Sequence, residues 1–444
     1  MSKTRRLACL AAATGAIALA ATACGAPEDE DSSRGAVPDD ATDCANYEQY
    51  GDLEGETVSI FGSIRDQEAD EMEEAWSYFE ECTGVTIEYE GSGEFEADMK
   101  VRVDGGNAPD LALFPQPGFM ANFVDDLVPA SDELTALAEE GWTEDWRSYG
   151  TIDGTFYAPP HSSNAKSFIW YSPSFFEENG YEIPTTWDQL IELSDQIAAD
   201  GTMPWCVGIE SGASTGWPGT DWIEDIVLRE GADLYDQWVD HEIPFNDPQI
   251  VAAIEKAGEI LTNEDYIYGG TDTISSTPFQ EGGWPILDNE CALYRQASFY
   301  GAMWEEGVEV SEDGDVFAFR FPETNEGDNT MLVAGEFVAA FNDSEAIEAT
   351  RQFLASALYH DARLQTGPWS TANQGVDPAS ATTPINQFAT EVLIDPDVTV
   401  RFDGSDLMPG EVGTASFWTG MIQFVDGEVT AQEMADNIEN SWPQ

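Results

Sequence analysis

The residues that can perform acid–base, nucleophilic or metal chemistry are unevenly represented in this sequence. The chain has 86 Asp and Glu residues but only three histidines, His161, His241 and His360. None of these histidines is paired at metal-ligand spacing, and no Ser-His or Cys-His constellation can be built from them. Among so many carboxylates, finding two that suit acid–base catalysis proves nothing. The sequence therefore gives little support to metal or nucleophilic catalysis.

A glycine-rich loop, SGASTGWPGTDW, occupies residues 211–222 and precedes a predicted helix. Such loops bind phosphates when Lys-Ser or Lys-Thr follows the glycines, and that pair is missing here, so the loop does not predict a phosphate site. Within it, Trp217 can stack on a flat ligand and Asp221 can accept two hydrogen bonds. Asp221 can equally cap the helix that follows, so both interpretations remain open.

The elements that position such side chains begin with a regular order. Residues 56–64 and 108–114 have strand patterns, and a strand and two helices with apolar faces are predicted between them. This β-α-β-α-β order predicts a parallel sheet with helices on its faces. Ligands of such sheets bind at the carboxyl ends of the strands, which is where Arg65, Phe114 and Gln116 lie.

The N-terminus has the pattern of an export signal. Residues 1–23 combine a basic start, an Ala-rich apolar stretch and a small-residue cleavage site. Cys24 follows directly, as in bacterial lipoproteins, although Ala21 stands where that pattern favours a Leu-like residue. A lipid on Cys24 leaves four cysteines that can form two disulfides, whereas ordinary secretion leaves five. We therefore expect a lipidated protein with an acidic, disordered tether at 24–49, and free secretion is the alternative.

The charge of the chain is extreme. The 86 acidic residues stand against 16 Lys and Arg, which gives a net charge of −70. This charge argues against nucleic acid or an anionic membrane surface as a partner, and it is typical of adaptation to salt. A cation-binding surface is the alternative explanation. After the signal the only lysines are Lys100, Lys166 and Lys256, so each either pairs with a carboxylate or has a specific role.

Six stretches carry a resemblance to a known family. They are GNAPDLALFPQPGF (106–119), DGTFYAPP (153–160), SFIWYSPSFFEENGYEIPTTWDQL (167–190), GWPGTDWIEDIV (216–227), LVAGEFVAAFND (332–343) and GTASFWTGMIQFV (413–425). Together they resemble the extracellular solute-binding proteins of bacterial ABC sugar importers, the group that contains maltose-binding protein. The closest likeness within that group is to the α-glucoside-type binders of actinobacteria.

The resemblance implies an α/β fold of two lobes, each a mostly parallel sheet flanked by helices, with the ligand cleft between them. It places lobe one at residues 50–160 and 333–385, and lobe two at residues 161–332 and 386–444. Disulfides Cys44–Cys82 and Cys206–Cys291 would then lie in lobe one and lobe two. The implied protein is a monomer without a cofactor, and it delivers a sugar to ABC permease subunits at the outer face of the membrane.

Sugars present flat C–H faces and rims of hydroxyls, which proteins bind with aromatic, carboxylate, amide and basic side chains. The resemblance identifies Trp418 and Trp304 as aromatic contacts, with Tyr300 as the second choice to Trp304. The resemblance also favours ligand contact for further residues. Some of them are discussed above, and the others lie just after the expected crossing between the lobes. These residues are Arg65, Phe114, Gln116, Asn164, Lys166, Trp217 and Asp221.

The identity of the sugar stays open at this point. Pro117 and Gly118 replace a polar pair that maltose binders have, so maltose itself is not predicted. An α-glucoside or another oligosaccharide is the expected ligand. Two alternatives remain: the same fold with a polyamine, peptide or iron ligand, and a secreted glycosidase, which would need two positioned carboxylates.

Overall fold

The computed structural model of the protein describes residues 43–305, 307–324 and 328–443. The predicted signal peptide, Cys24 and residues 24–42 of the predicted tether lie outside these residues. The prediction of a disordered tether up to residue 49 is wrong at its end, because Cys44–Tyr50 forms a 3₁₀ helix. Tyr47 and Tyr50 of that helix are buried against Phe79, which gives this short segment an apolar anchor.

Thirteen strands are present in the described part of the chain. They are β1 Thr57–Gly62, β2 Thr86–Gly91, β3 Leu111–Phe114, β4 Thr151–Ile152, β5 Thr155–Phe156, β6 Asn164–Ala165, β7 Phe168–Tyr171, β8 Met203–Cys206, β9 Cys291–Arg295, β10 Phe317–Arg320, β11 Thr330–Ala334, β12 Phe337–Ala340 and β13 Thr399–Phe402. β4 and β5 form a small hairpin, and the other eleven strands form three sheets.

The first sheet has the order β12-β3-β1-β2, with β1 parallel to both β2 and β3. The predicted β-α-β-α-β start is thereby confirmed. β12 joins the edge antiparallel to β3, although it lies more than 200 residues later in the chain. The chain thus returns to its first sheet after building the second, as the resemblance implies.

The second sheet has the order β10-β7-β9-β8. It departs from a mostly parallel arrangement, because β9 is parallel to β8 but antiparallel to β7, and β10 is antiparallel to β7. The third sheet, β13-β11-β6, contains the short strand that follows the Pro-rich segment at 158–163. In the sequence, β6 lies between β3 of the first sheet and β7 of the second, and β11 lies between β10 of the second sheet and β12 of the first.

Sixteen α-helices are described. They are α1 Asp66–Thr83, α2 Phe95–Asp104, α3 Pro117–Met120, α4 Asp132–Gly141, α5 Glu144–Tyr149, α6 Pro173–Asn179, α7 Trp187–Asp200, α8 Trp217–Glu230, α9 Ala232–Val239, α10 Pro248–Leu261, α11 Glu345–Ala355, α12 Ala357–Thr366, α13 Pro384–Ile394, α14 Gly404–Leu407, α15 Trp418–Val425 and α16 Ala431–Glu439. A single π-helical turn, Val412–Phe417, leads into α15. Within the described ranges, no helix combines the length and apolar character that a membrane crossing requires.

Hydroxyl side chains cap the starts of two long helices. Thr186 accepts a hydrogen bond from the Gln189 amide at the start of α7, and Ser344 accepts one from Ile347 at the start of α11. The predicted cap at Asp221 is wrong, because α8 already begins at Trp217 and Asp221 lies inside it. Pro218 accounts for the earlier start, since proline is well suited to the first turn of a helix.

The apolar core consists of three clusters of buried side chains, which pack the helices onto the sheets. Trp76 and Trp187 lie in these clusters, as the sequence predicts. Disulfides Cys44–Cys82 and Cys206–Cys291, the pairs that the resemblance implies, are both present. The second one joins the parallel neighbours β8 and β9.

The connection between β11 and β12 brings the first and third sheets together. A Cβ atom on Gly335 would lie 2.1 Å from the carbonyl oxygen of Ser162, so only glycine permits this approach. The amide of Glu336 donates to Ser162 Oγ at 3.0 Å, and the amide of His161 donates to the Glu336 carbonyl oxygen at 2.6 Å. These bonds hold the side chain of Glu336 where the sheets meet.

Candidate functional site

A cavity of about 600 Å³ lies at the ends of the strands and is called the main cavity below. Its walls come from the segments that follow β1, β3 and β13, the segment before α2, the loop before α8 and the β11–β12 connection. These segments supply residues 63–68, 92–96, 115, 116, 210–212, 214, 217, 334–336, 403 and 406. The carboxyl ends of parallel strands thus contribute to the site, as expected for an α/β sheet.

Six of the nine predicted ligand residues line the main cavity. They are Arg65, Gln116, Asn164, Lys166, Trp217 and Trp418. They come from regions more than 350 residues apart in the sequence, so the fold brings them to one place. Direct contact of these six with a ligand remains a prediction.

Phe114, Asp221 and Trp304 do not line the main cavity. Phe114 is fully buried and packs against other phenylalanines of the core, the nearest being Phe95 at a centroid distance of 5.5 Å. Trp304 packs edge-on against Trp170 at 5.7 Å and is 8% exposed. Gln116, two residues after Phe114 and already past the strand end, is the residue of this segment that reaches the cavity.

Asp221 acts through Lys166. Its Oδ1 lies 2.9 Å from Lys166 Nζ, and both side chains are buried. Lys166 also contacts Asp403, and its ammonium lies 4.7 Å from the centroid of the Trp217 ring. Burial opposes the charge of Lys166, but Asp221 and Asp403 outweigh it and raise the lysine pKa above its usual value.

The same carboxylate is anchored on its other side. Asp221 pairs with Arg295, which also pairs with Asp225, and Asp225 pairs with Arg229. All of these groups are buried, and each charge has at least one opposite neighbour. The network fixes Lys166 on the cavity wall. From the sequence alone, Lys166 could be either an ion-pair partner or a hydrogen-bond donor to the ligand.

Aromatic rings form much of the cavity wall. Trp217 packs edge-on against Phe279 at 5.0 Å, and Phe299 lies beside both of them. Trp369 also lines the cavity, and the guanidinium of Arg363 lies over its ring at 3.6 Å. Sequence reasoning missed Phe279, Phe299 and Trp369: Phe279 and Trp369 lie outside helices and strands, and Phe299 lies in a short 3₁₀ helix, Ser298–Ala302, whose local pattern does not indicate a cleft.

Carboxylates surround these rings. Those that line the cavity are Asp66, Glu68, Glu71, Glu94, Glu96, Glu210, Glu336, Asp403 and Asp406, whereas Arg65 and Lys166 are the basic residues among its lining. Burial is the main cause that raises the pKa of Glu336 to about 7, while Arg363 and hydrogen bonds from Ser162 and Ser63 oppose it. Burial and the neighbouring Glu336 together raise the pKa of Glu68 to about 7.

Two buried polar atoms of the lining have no hydrogen-bond partner in the described part of the protein. They are the acceptor Gln116 Oε1 and the donor Trp369 Nε1. Gln116 is 6% exposed and donates from its Nε2 to Glu96 Oε1 at 2.9 Å, so its orientation is fixed. Buried polar groups are almost always paired, which makes these two atoms natural partners for a ligand.

Carboxylate oxygens of Asp221, Glu224 and Asp403 lie within 4.8 Å of one another, as metal ligands do. The ammonium of Lys166 already binds Asp221 and Asp403. The backbone amides of Gly404 and Ser405 donate to Glu224. The three carboxylates are therefore satisfied by protein groups, and we assign no metal to them.

A second cavity of about 550 Å³ contains none of the predicted ligand residues. It is lined by parts of α3, α5, the β4–β5 hairpin and α9, together with Arg401. Arg401 is paired there with Asp236 in a bidentate contact. Tyr149 and Tyr235 are the only aromatic residues among the lining residues of this second cavity.

Comparison with known proteins places this architecture in a family. The model for "Bacterial extracellular solute-binding protein" matches residues 63–363. The osmoprotective compounds-binding protein GgtB of Synechocystis sp. is 38% identical over 410 residues, covering 91% of this chain and 96% of that protein. The alpha-glucosides-binding periplasmic protein AglE of Rhizobium meliloti is 36% identical over 410 residues, covering 89% of each chain.

Solved structures share the fold at low sequence identity. The maltose-bound MalE3 of T. maritima aligns with a TM-score of 0.67 and 15% identity, over 86% of this chain and 98% of that one. The two-lobed α/β fold expected from the sequence is thereby confirmed. With a family match over more than half of the chain, this protein is a member of the bacterial extracellular solute-binding proteins.

Proposed function

We propose that this protein captures a sugar, an α-glucoside or another oligosaccharide, in the main cavity and delivers it to an ABC permease. Its family consists of solute-binding proteins, so the protein is a receptor and not an enzyme. The observation that carries the proposal is the pairing of aromatic rings with unpartnered buried polar atoms in one cavity. Trp217 and Trp418 provide the rings, and Gln116 Oε1 and Trp369 Nε1 provide the unpartnered atoms.

This combination suits a carbohydrate. The C–H face of a pyranose packs against an aromatic ring, while its hydroxyls both donate and accept hydrogen bonds. The cavity offers carboxylate acceptors, the free acceptor of Gln116 and the free donor of Trp369. Its volume of about 600 Å³ lies within the usual range of small-molecule sites.

The relatives support an α-glucoside over other sugars. AglE is described as a binder of alpha-glucosides, and GgtB as a binder of osmoprotective compounds. Maltose is not the favoured candidate, because residues 117 and 118 offer no polar side chain. Gly118 is the second residue of the short helix α3, and a Cβ there would lie 2.1 Å from the carbonyl oxygen of Met408.

The lobes are proposed to close on the sugar. The predicted lobe boundaries near residues 160, 332 and 385 fall in or next to segments that connect the sheets. Glu336, Ser162 and Asn164 line the cavity from these segments, so a ligand there touches both lobes and their connection. A sugar that contacts both lobes binds the closed form more tightly and increases its population.

Anchoring through Cys24 forms part of the proposal. The signal pattern at residues 1–23, the cysteine that follows it and the two disulfides formed by four later cysteines support a lipid on Cys24. Expression in a bacterial host with radiolabelled palmitate is expected to label the wild type. Cys24→Ser should lose the label, and labelling of this variant would contradict the anchor.

Calorimetric titration of residues 43–444 with trehalose, sucrose, maltose, maltotriose, glucose and spermidine tests the central function. We expect saturable binding of an α-glucoside, weakened in Trp217→Ala and in Gln116→Met. Trp442→Ala serves as the matched control, because Trp442 stacks on His241 and is not part of the cavity lining. Binding of spermidine alone, or turnover of any glucoside, would overturn the sugar-receptor proposal.

A further inference from the structure

One region of the main cavity combines acceptors and a tryptophan ring with no dedicated cation. Glu96 lies in the first turn of α2, Gln116 follows β3, Asp406 lies in α14 and Trp418 begins α15. All four line the cavity. We call these four residues the acceptor subsite.

The subsite is connected by specific contacts. Gln116 Nε2 donates to Glu96 Oε1 at 2.9 Å, which leaves Gln116 Oε1 as a buried acceptor without a partner. Trp418 Nε1 donates to the hydroxyl of Ser405, the residue next to Asp406, at 3.3 Å. Burial is the main cause that raises the pKa of Asp406, Asp403 adds to it, and Glu96 at the other end of the subsite adds least.

Neither carboxyl group has an adequate counter-charge. Burial raises the pKa of Glu96, and Glu94 adds to this effect while Lys100 opposes it. Burial and the nearby Asp403 raise the pKa of Asp406, with Lys166 opposing. Lys166 is already bound to Asp221 and Asp403, and the ammonium of Lys100 lies over the ring of Phe119 at 5.3 Å. Among the described residues, neither Glu96 nor Asp406 forms an ion pair, so both carboxyl groups of this cavity can accept a positive charge.

We propose that the acceptor subsite binds an ammonium group carried by the sugar, so that the preferred ligand is an amine-bearing α-glucoside. An ammonium has three N–H donors and no acceptor, which matches two carboxylates and a free amide oxygen. Charge-assisted hydrogen bonds are about twice as strong as neutral ones, and an aromatic ring adds cation–π attraction. This inference rests on the proposed sugar-binding function and refines its substrate class.

A neutral hydroxyl fits the subsite less well. A hydroxyl donates a single hydrogen bond and can serve only one of the three groups; Glu96 would keep the hydrogen bond from Gln116, but either Asp406 or Gln116 Oε1 would gain no donor from it. An anionic group would face Glu96 and Asp406 directly and be repelled. The subsite should therefore bind a glycoside with an amine most tightly, one with a neutral alcohol less tightly and one with a carboxylate least tightly.

A matched ligand series tests this order. The probes are 2-aminoethyl, 2-hydroxyethyl and carboxymethyl α-D-glucopyranoside, with ethanolamine and spermidine as free amines. In calorimetric titrations at pH 7 and ~0.1 M salt, the aminoethyl glucoside is expected to bind about tenfold tighter than the hydroxyethyl glucoside. Its binding should also release protons, measured as a dependence of the heat on the buffer, since burial raises the pKa of Asp406 and the ammonium favours its ionised form.

Glu96→Gln and Asp406→Asn should each reduce the preference for the amine. Glu255→Gln, an exposed carboxylate on α10 outside the cavity lining, should retain it. Equal or weaker binding of the aminoethyl glucoside overturns this inference, while binding of the hydroxyethyl glucoside still supports the proposed function. Binding of free amines without any glucoside, or no binding at all, contradicts both proposals.

Discussion

Nζ of Lys166 lies 2.9 Å from Oδ1 of Asp221, and this buried ion pair links the wall of the main cavity to helix α8. The lysine is 3% exposed and the aspartate is fully buried. Removing one member of a buried ion pair leaves the other charge without compensation in a poorly solvated place. The pair should therefore matter for stability as well as for the site.

Lys166→Met is expected to lower the free energy of unfolding by about 3–5 kcal/mol, because Asp221 and Asp403 lose their shared cation. Urea unfolding followed by circular dichroism measures this loss, which should persist at high salt because the pair is buried. Lys256→Met is the control: its ion pair with Glu230 is exposed and should cost less than about 1 kcal/mol. Equal costs for the two variants would contradict the structural role of Lys166.

Replacing Trp217 should mainly affect sugar binding, whereas replacing Trp304 should mainly affect stability. Trp217 lines the cavity and is partly exposed, so Trp217→Ala should weaken sugar binding by about tenfold or more and change stability modestly. Trp304 is buried against Trp170, so Trp304→Ala should cost about 3–5 kcal/mol of stability with the affinity of the folded protein retained. Calorimetry and urea unfolding on both variants provide the comparison, and the reverse pattern would contradict the site.

The pH dependence of stability should report on Glu336. Its pKa is raised to about 7 in the folded protein from 4.5 for a free glutamate, so the folded state holds a proton that the unfolded state releases. Stability associated with this group is therefore present at low pH and lost as the pH rises from about 4.5 to about 7. Relative to wild type, Glu336→Gln should gain roughly 2 kcal/mol between pH 5 and pH 8.

Urea unfolding of the ligand-free proteins at a series of pH values measures this difference. Glu68 and His161 remain in both proteins, but the pKa of Glu68 should be lower in Glu336→Gln because the charge of Glu336 adds to burial in raising it. In the surface variant Glu255→Gln, the free energy of unfolding should vary with pH as it does in wild type. A difference between wild type and Glu336→Gln that does not vary with pH would show that Glu336 is ionised throughout.

The two disulfides should stabilise the protein to similar extents. They close loops with sequence separations of 38 and 85 residues, and each is expected to contribute about 2–5 kcal/mol. Because it closes the longer loop, the Cys206–Cys291 disulfide should contribute about 0.7 kcal/mol more to the free energy of unfolding than the Cys44–Cys82 disulfide. Unfolding of the paired serine variants, Cys44→Ser with Cys82→Ser and Cys206→Ser with Cys291→Ser, measures these contributions. No loss in either variant would contradict bridging in the native protein.

Local pattern predicted much of the fold. The alternation of strand and helix patterns predicted the first sheet, because that alternation is a local property of the sequence. The resemblance supplied what local pattern cannot, namely that β12 returns to β3 across more than 200 residues. The sequence left Asp221 open between helix cap and ligand contact, and the structure excludes the cap because the helix starts one turn earlier, next to Pro218.

A sequence does not show whether a side chain faces the cavity or the core, and this limited prediction of the site. Gln116 and Trp217 were found because strand ends and glycine-rich loops commonly reach a cleft. Trp304 looked equivalent in sequence, yet it packs into the core against Trp170. Trp369 and Glu336 reach the cavity through tertiary contacts, including the close approach of Gly335 to Ser162, which no local pattern indicates.

Hydrogen–deuterium exchange with and without the best-binding α-glucoside tests the location of the sugar most directly. We predict slower exchange on ligand addition in residues 63–67, 92–96, 210–217 and 403–406, the walls of the main cavity. Residues 145–153 and 236–240 of the second cavity should change little by comparison. Protection concentrated in the second cavity, or no protection in the main cavity at saturating sugar, would contradict the account.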